Sequence, residues 1–348
     1  MKKIYLLIIV IAIGLVAVAC STNEEEKEKG SEDSNEVGKV ETEQNIYPFT
    51  GIATDEDVTN RAIAVMVNNH AQARPQTGLS DADIVFEMLT EGDITRFLAI
   101  YQSTEPEVVG PVRSAREYFF TLADGYDAIY VYHGAANFVN DMIQSRGIEN
   151  LPGAIYDNDG HLFVRESFRQ APHNSYFQFG AAYDVAAEKE YETHMNYEPL
   201  PFLKEDDKIV GEDANYVRIN YAQNDVYVEF TYDETTNQYT RYNDGQMSAE
   251  LNTDVPIQVS NVLIVEAEHR VIDDEQRRSI DIESGGSAYL LQQGKVQQLQ
   301  WENQDGRIIP IKDGQVVPFV PGKTWINFIP STTSPQGVDE QVEFKNKE

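Results

Sequence analysis

Arg113 and Arg116 stand in the stretch GPVRSAREYFF, residues 110–120, of a chain with 27 basic residues against 58 acidic ones. Ser114 followed three residues later by Glu117 is an S-x-x-E capping box, which predicts a helix over 115–124. Arg113 then precedes the cap and Arg116 occupies the first turn. That end of a helix already carries about +0.5 of a charge, so cations there need something negative to meet them. Two chemistries supply it. The guanidinium forks and the first-turn N–H groups can converge on a phosphate, sulfate or carboxylate. Alternatively, Arg113 and Arg116 pair with Glu87, Glu91 or Glu117 inside the fold.

Other polar residues extend the constellation. Arg74 lies in ARPQTGLSDADIVFE, where Pro75 holds it extended. Glu87 is a lone charge in the apolar run DIVFEML, and Arg96 is a lone charge in ITRFLAI. A turn at Glu91-Gly92-Asp93 pairs these two runs and brings Glu87 and Arg96 within a step or two. Turn length decides whether they share a face, because a one-residue slip flips every side chain. His133 ends the run AIYVYHG, at the strand end where α/β folds place ligands. His173, with Asn174 beside it, lies in the Pro-bounded loop APHNSY.

Histidine next to clustered arginine suits acid–base chemistry on a phosphodiester or glycosyl phosphate. His133 and His173 are therefore the candidate catalytic residues, against the bland reading of hydrogen-bonded loop histidines. No G-x-S-x-G, H-E-x-x-H or P-loop is present. Asp157, Asp159, Gly160 and Glu166 fall at EF-hand positions, but Ile155 occupies the first, so the segment reads as an Asx-rich turn. No metal or cofactor is expected.

The elements that must position these residues fall into two blocks, an α+β organisation. Residues 46–205 read as a mixed α/β domain. AIAVMVNN is a buried strand, DIVFEML and ITRFLAIYQS form a hairpin, and FVNDMIQSRG and QFGAAYDVAAEKEY read as helices. Residues 206–335 carry short Tyr/Val/Ile-rich runs with Asp-Gly and Gln-Gly turns, a smaller antiparallel β-rich domain. The clusters KEDD and IDDEQRR read as solvated loops, and 336–348 as a polar tail.

The N-terminus gives an address. MKK and the apolar run after it form a signal peptide over 1–19 that ends Ala17-Val18-Ala19-Cys20, like a bacterial lipobox. Cys20, the only cysteine, is the expected lipidation site, which would anchor the chain on the extracytoplasmic face of the cell membrane. It also leaves no thiol for a disulfide, a thiolate zinc site or catalysis in the mature protein. Residues 20–45 are rich in glutamate and poor in apolar side chains, the composition of a disordered tether. The formal charge of −31 argues against nucleic acid as a partner.

Taken together, AIAVMVNN, ARPQTGLSDADIVFEMLTEGDITRFLAIYQS, GPVRSAREYF, YVYHG, RQAPHNSY and GKTWINFIP strongly resemble the YerB-like lipoproteins, a bacterial two-domain family of unknown function. The resemblance spans about residues 60–330 and implies a lipid-anchored envelope protein, with no reaction attached. A looser likeness to the LytR-CpsA-Psr phosphotransferases stops short, because that family's clustered aspartates and arginines do not align. Three readings follow. Arg74, Arg96, Arg113 and Arg116 hold an anionic envelope polymer or small anion; or the chain transfers or hydrolyses phosphoryl or glycosyl-phosphate groups; or Glu87 and the arginines form a structural network in a scaffold whose protein partner is unknown.

Overall fold

Strands Ile63–Asn68, Ile84–Leu89 and Thr95–Tyr101 are buried at every position, as runs that are apolar except for Asn68, Glu87, Thr95 and Arg96 require of strands covered on both faces. They form the centre of a 12-stranded sheet in a computed structural model that describes residues 44–221, 226–331 and 341–346. Cys20, the signal peptide and nearly all of the acidic tether lie outside the described residues.

Ile84–Leu89 and Thr95–Tyr101 make the expected hairpin, with Leu89 opposite Thr95 and Thr90 N–H donating to the Ile94 carbonyl around a three-residue turn. This register sets Glu87 opposite Phe97 and Met88 opposite Arg96. Glu87 and Arg96 therefore project from opposite faces of the sheet, and the anticipated pairing between them does not form.

From Thr95–Tyr101 the sheet continues through Ile63–Asn68, Ile129–Tyr132 and Asn150–Pro152, the last three mutually parallel. On the other side, Ile84–Leu89 pairs in parallel with Thr324–Pro330, which pairs in parallel with Asn261–Ala267. The strand containing TWINFIP thus carries the sheet from the first half of the chain into the second. Beyond it lies the antiparallel array Gly286–Gln292, Lys295–Gln304, Arg307–Lys312 and Gln315–Val316. The fold class is α+β, with few helices and a largely antiparallel C-terminal region.

Each face of the sheet has its own core. On one face, Met66, Phe86, Met88 and Leu98 pack with Tyr118, Phe119 and Leu122 of the helix Glu117–Gly125. That helix begins two residues later than the capping box predicts. Its N-cap is Arg116, which makes no side-chain cap, and Ser114 lies outside it. Gly125, at the helix end, fits its place through close backbone approach: a Cβ there would stand 2.4 Å from Gly306 Cα.

The opposite face, with Val65, Val85, Phe97 and Trp325, is covered by a second sheet that includes Gln238–Asn243, Tyr227–Asp233 and Tyr216–Asn220. Val342–Lys345, expected within a polar tail, is instead an edge strand of this second sheet with Val342 buried. Its alternation of buried Val342 with exposed Glu343 is the period-2 signal of a half-covered strand. IDDEQRR, expected as a solvated loop, is mostly exposed. It joins the strands His269–Val271 and Arg278–Ile280, and Arg278 donates to the Thr90 and Gly92 carbonyls.

Candidate anion-binding site

Because Ile63–Asn68, Ile84–Leu89, Ile129–Tyr132 and Asn150–Pro152 run the same way, their C-terminal ends reach one edge of the sheet. Asn68, Glu91, His133 and Gly153 lie at or just beyond these ends, where open α/β sheets gather ligands. The segment Pro111–Ala115 is laid across this edge. Asn68 N–H donates to the Pro111 carbonyl, Arg113 N–H to Met66, His133 N–H to Arg113 and Ala115 N–H to Gly134. These bonds fix the backbone of the arginine-bearing segment independently of the helix that follows.

The four arginines of the sequence reading separate here. Arg96 Nη2 donates to Glu91 Oε2 at 2.6 Å, and Arg116 pairs with the other oxygen of the same carboxylate. Arg96 Nη1 also donates to the Ser114 carbonyl at 3.2 Å, so Glu91 and Arg96 clamp the start of the helix. Burial pulls the Arg96 guanidinium down to about 10 and lowers that of Arg116 as well. Arg74 lies elsewhere, with Nε on the Asn69 carbonyl and side-chain oxygen and Nη1 on Asp244 at 2.6 Å.

Arg113 differs from the other three. Its guanidinium is partly buried, yet alone among the arginines it has no hydrogen bond and no carboxylate among the described residues. Burial, and next the charge of Arg96, lower its pKa. A desolvated cation without a partner is costly, and it lowers the cost of bringing an anion beside it.

His173 stands near this cation. Asn68 Oδ1 accepts from His70 N–H at 3.0 Å, which orients the amide so that Asn68 Nδ2 donates to His173 Nδ1 at 2.9 Å. By this hydrogen-bond pattern His173 is the neutral Nε2–H tautomer, with Nε2–H left as a donor. His70 stacks on its ring at 4.6 Å between centroids. Burial lowers the pKa of His173, helped by His70, Arg113 and Arg169.

His133 is engaged at both nitrogens. Its Nδ1 meets Ser175 Oγ at 2.7 Å and its Nε2 accepts from Arg165 Nη2 at 3.3 Å. Arg165 is held in turn by Asp157, at 2.6 and 3.0 Å, and by Asn174 Oδ1 at 2.9 Å. Burial first, then Arg165, depress the His133 pKa. A neutral ring with both nitrogens occupied orients its neighbours and has no free position for proton transfer. Asn174 contributes by fixing Arg165. Asp157 is thus spent on Arg165, and Asp159 Oδ1 accepts three backbone N–H groups from residues 161–163, an Asx turn as expected.

Glu87 belongs to a separate network on the other face. Fully buried, it accepts from Arg241 Nη2 at 2.9 Å on both oxygens, from Trp325 Nε1 at 3.0 Å and from Thr95 Oγ1 at 2.9 Å. Arg241 lies near the Phe97 and Trp325 rings, 5.1 and 4.8 Å from their centroids.

Sequence reasoning missed Asn68, His70, Arg165 and Arg241. The NNH triplet directly after a buried strand was a usable signal for the first two. Arg241 could have been flagged as the lone charge at an inward position of QYTRYN.

The sequence of this chain matches two family models. Residues 49–192 match "Protein of unknown function (DUF3048) N-terminal domain" and residues 217–326 match the corresponding C-terminal domain. The chain belongs to the DUF3048 family. It is similar to "Putative lipoprotein YerB" of Bacillus subtilis (strain 168), 48% identical over 286 residues that cover 81% of this chain and 86% of that protein. The crystal structure of the YerB protein from Bacillus subtilis superposes with a TM-score of 0.79 at 43% identity, covering 87% of this chain and 100% of that one.

Proposed function

We propose that this chain is a lipoprotein anchored through Cys20 on the extracytoplasmic face of the membrane, and that it binds an anionic group of an envelope component between Arg113 and His173. The observation that carries the binding reading is the partly buried Arg113 guanidinium, unpartnered among the described residues, in a chain of net charge −31. A protein with so many carboxylates has abundant partners for a structural arginine. Arg74, Arg96 and Arg116 have each taken one, as a scaffold would have them do. Arg113 has taken none among the described residues, and the Nε2–H of His173, within electrostatic reach of it, adds a neutral donor suited to phosphate or carboxylate oxygen. The relative's name and the lipobox at Ala17–Cys20 support the anchor.

Thermal unfolding of the full-length chain in detergent, with and without inorganic phosphate or sulfate, tests the binding. Phosphate at about a hundredfold its Kd adds roughly 2.7 kcal/mol to a wild type that binds it. Arg113→Ala abolishes the shift; an equal shift in the variant refutes the site. Metabolic labelling with a fatty acid, lost in Cys20→Ser, tests the anchor.

The open nitrogen of His173 favours a second reading, phosphoryl or glycosyl-phosphate chemistry in which the neutral Nε2–H of His173, rather than His133, donates a hydrogen bond to the charge that develops on the phosphoryl oxygens. Turnover of an aryl phosphodiester that vanishes in His173→Gln distinguishes catalysis from binding.

A further inference from the structure

A cavity of about 330 Å³ opens on the other side of the Asn69–Gln76 segment, between that loop and the Gln238–Asn243 strand with its following turn. Its walls come from both halves of the chain, and their polar atoms are fixed before any ligand arrives. Asn69, Gln76, Arg241 and Asn243 are all at least nine-tenths buried. Asn69 Nδ2 donates to Asn243 Oδ1 at 3.0 Å, and Gln76 Nε2 donates to Asn69 Oδ1 at 3.1 Å. Arg241 Nη2 donates to Asn243 Oδ1 at 3.1 Å and Nη1 to Ser248 Oγ at 2.7 Å.

Several valences remain open beyond these bonds. Arg74 Nη2 and Asn243 Nδ2 have no partner among the described residues, and Arg241 Nη1 has a hydrogen beyond the one given to Ser248. Gln76 Oε1, an acceptor, has no donor among the described residues, while both amide hydrogens of Gln76 are used on Asn68 and Asn69. The exposed carboxylate of Asp254 lines the same cavity and has no hydrogen bond among the described residues. Each arginine is charge-balanced, Arg74 by Asp244 and Arg241 by Glu87. What the cavity offers is therefore a set of directed donors, together with a carboxylate and an amide oxygen as acceptors. It is not a general well of positive charge.

We propose that this cavity binds a small zwitterion of the α-amino acid class, its carboxylate on Arg74, Arg241 and Asn243 and its ammonium on Asp254 and Gln76. Donors with no excess positive charge suit a carboxylate that brings its own counter-charge. An unpaired carboxylate in the same space disfavours a simple anion. Rigid, mutually bonded walls reduce the ordering cost of binding. The site is distinct from the Arg113–His173 edge, and the two stand or fall separately.

The test is isothermal titration of the full-length chain in detergent with a panel of free L-amino acids, their N-acetyl derivatives and their α-amides. At least one free amino acid binds, and blocking either end weakens it tenfold or more. Asp254→Asn keeps the fold, since the side chain is exposed and asparagine tolerates the residue's φ of 56°. It weakens the free amino acid about tenfold while leaving the N-acetyl form unchanged, and Arg74→Gln weakens both. Arg113→Ala changes neither. No heat from any amino acid at millimolar concentration, equal binding of free and N-acetylated forms, or loss of binding in Arg113→Ala overturns the proposal.

Discussion

Removing Arg241 while leaving Glu87 in place isolates the buried pair that links the two halves of the chain. In Arg241→Met the Glu87 carboxylate keeps Trp325 Nε1 and Thr95 Oγ1 but loses every charged donor. Glu87 is fully buried and Arg241 is 2% exposed, so water cannot replace the lost partner. An uncompensated buried charge of this kind costs about 3–5 kcal/mol. The lost ring contacts to Phe97 and Trp325, each about 0.5–2 kcal/mol, set the upper part of that range. For a domain of this size about 2 °C per kcal/mol translates the loss into a Tm lower by about 6–10 °C. Adding Glu87→Gln removes the orphaned charge, and the double variant recovers by at least about 1 kcal/mol relative to the sum of the single changes. Thermal unfolding by circular dichroism at fixed scan rate reads all four proteins. A loss below about 1 kcal/mol in Arg241→Met, or strict additivity in the cycle, refutes the claim that this pair is coupled and dry.

Three further outcomes follow from the same geometry. Ser114→Ala leaves stability within about 0.5 kcal/mol of wild type by thermal unfolding, because Ser114 does not cap the helix; a true cap loses about 0.5–2 kcal/mol. Glu91→Gln, which strips two buried guanidinium groups of their shared carboxylate, lowers stability by about 2 kcal/mol or more in the same assay. His269 is pulled down to about 4 by burial, so the unfolded chain binds its proton more readily than the folded one. Stability is thus full above the ordinary histidine range and falls as pH drops from about 6.5 to 4, by at most about 3 kcal/mol. A urea-unfolding pH series on wild type and His269→Gln checks this, the variant showing a shallower slope.

Local signals in the chain were strong enough to place most elements and too weak to place partners. Unbroken apolar runs such as AIAVMV and alternating ones such as QYTRYN state strand and burial directly, and the hairpin at Glu91–Asp93 reads from its turn. What decided Glu87 was turn length, a single residue, which set its face and so exchanged Arg96 for a partner 154 positions along the chain. Long-range pairing of that kind leaves no mark in spacing. Ser114 illustrates the converse. Its capping-box pattern is local and correctly typed, but the backbone of 111–115 is already committed to bridging two strands, and tertiary bonding overrode the cap. Arg113 was legible as a candidate because arginine is scarce, whereas its lack of a partner became visible only once the others had been assigned theirs. Val342–Lys345 reads as polar because a half-covered edge strand needs only alternate apolar residues.

A crystal structure of the protein grown in selenate, with anomalous data at the selenium edge, decides whether Arg113 and His173 hold an anion. An anomalous peak is expected between Arg113 and His173, with selenate oxygens within about 3 Å of the guanidinium and of Nε2, and no such peak in Arg113→Ala. Selenate found only at other positions, or a guanidinium in wild type turned onto a protein carboxylate, contradicts it.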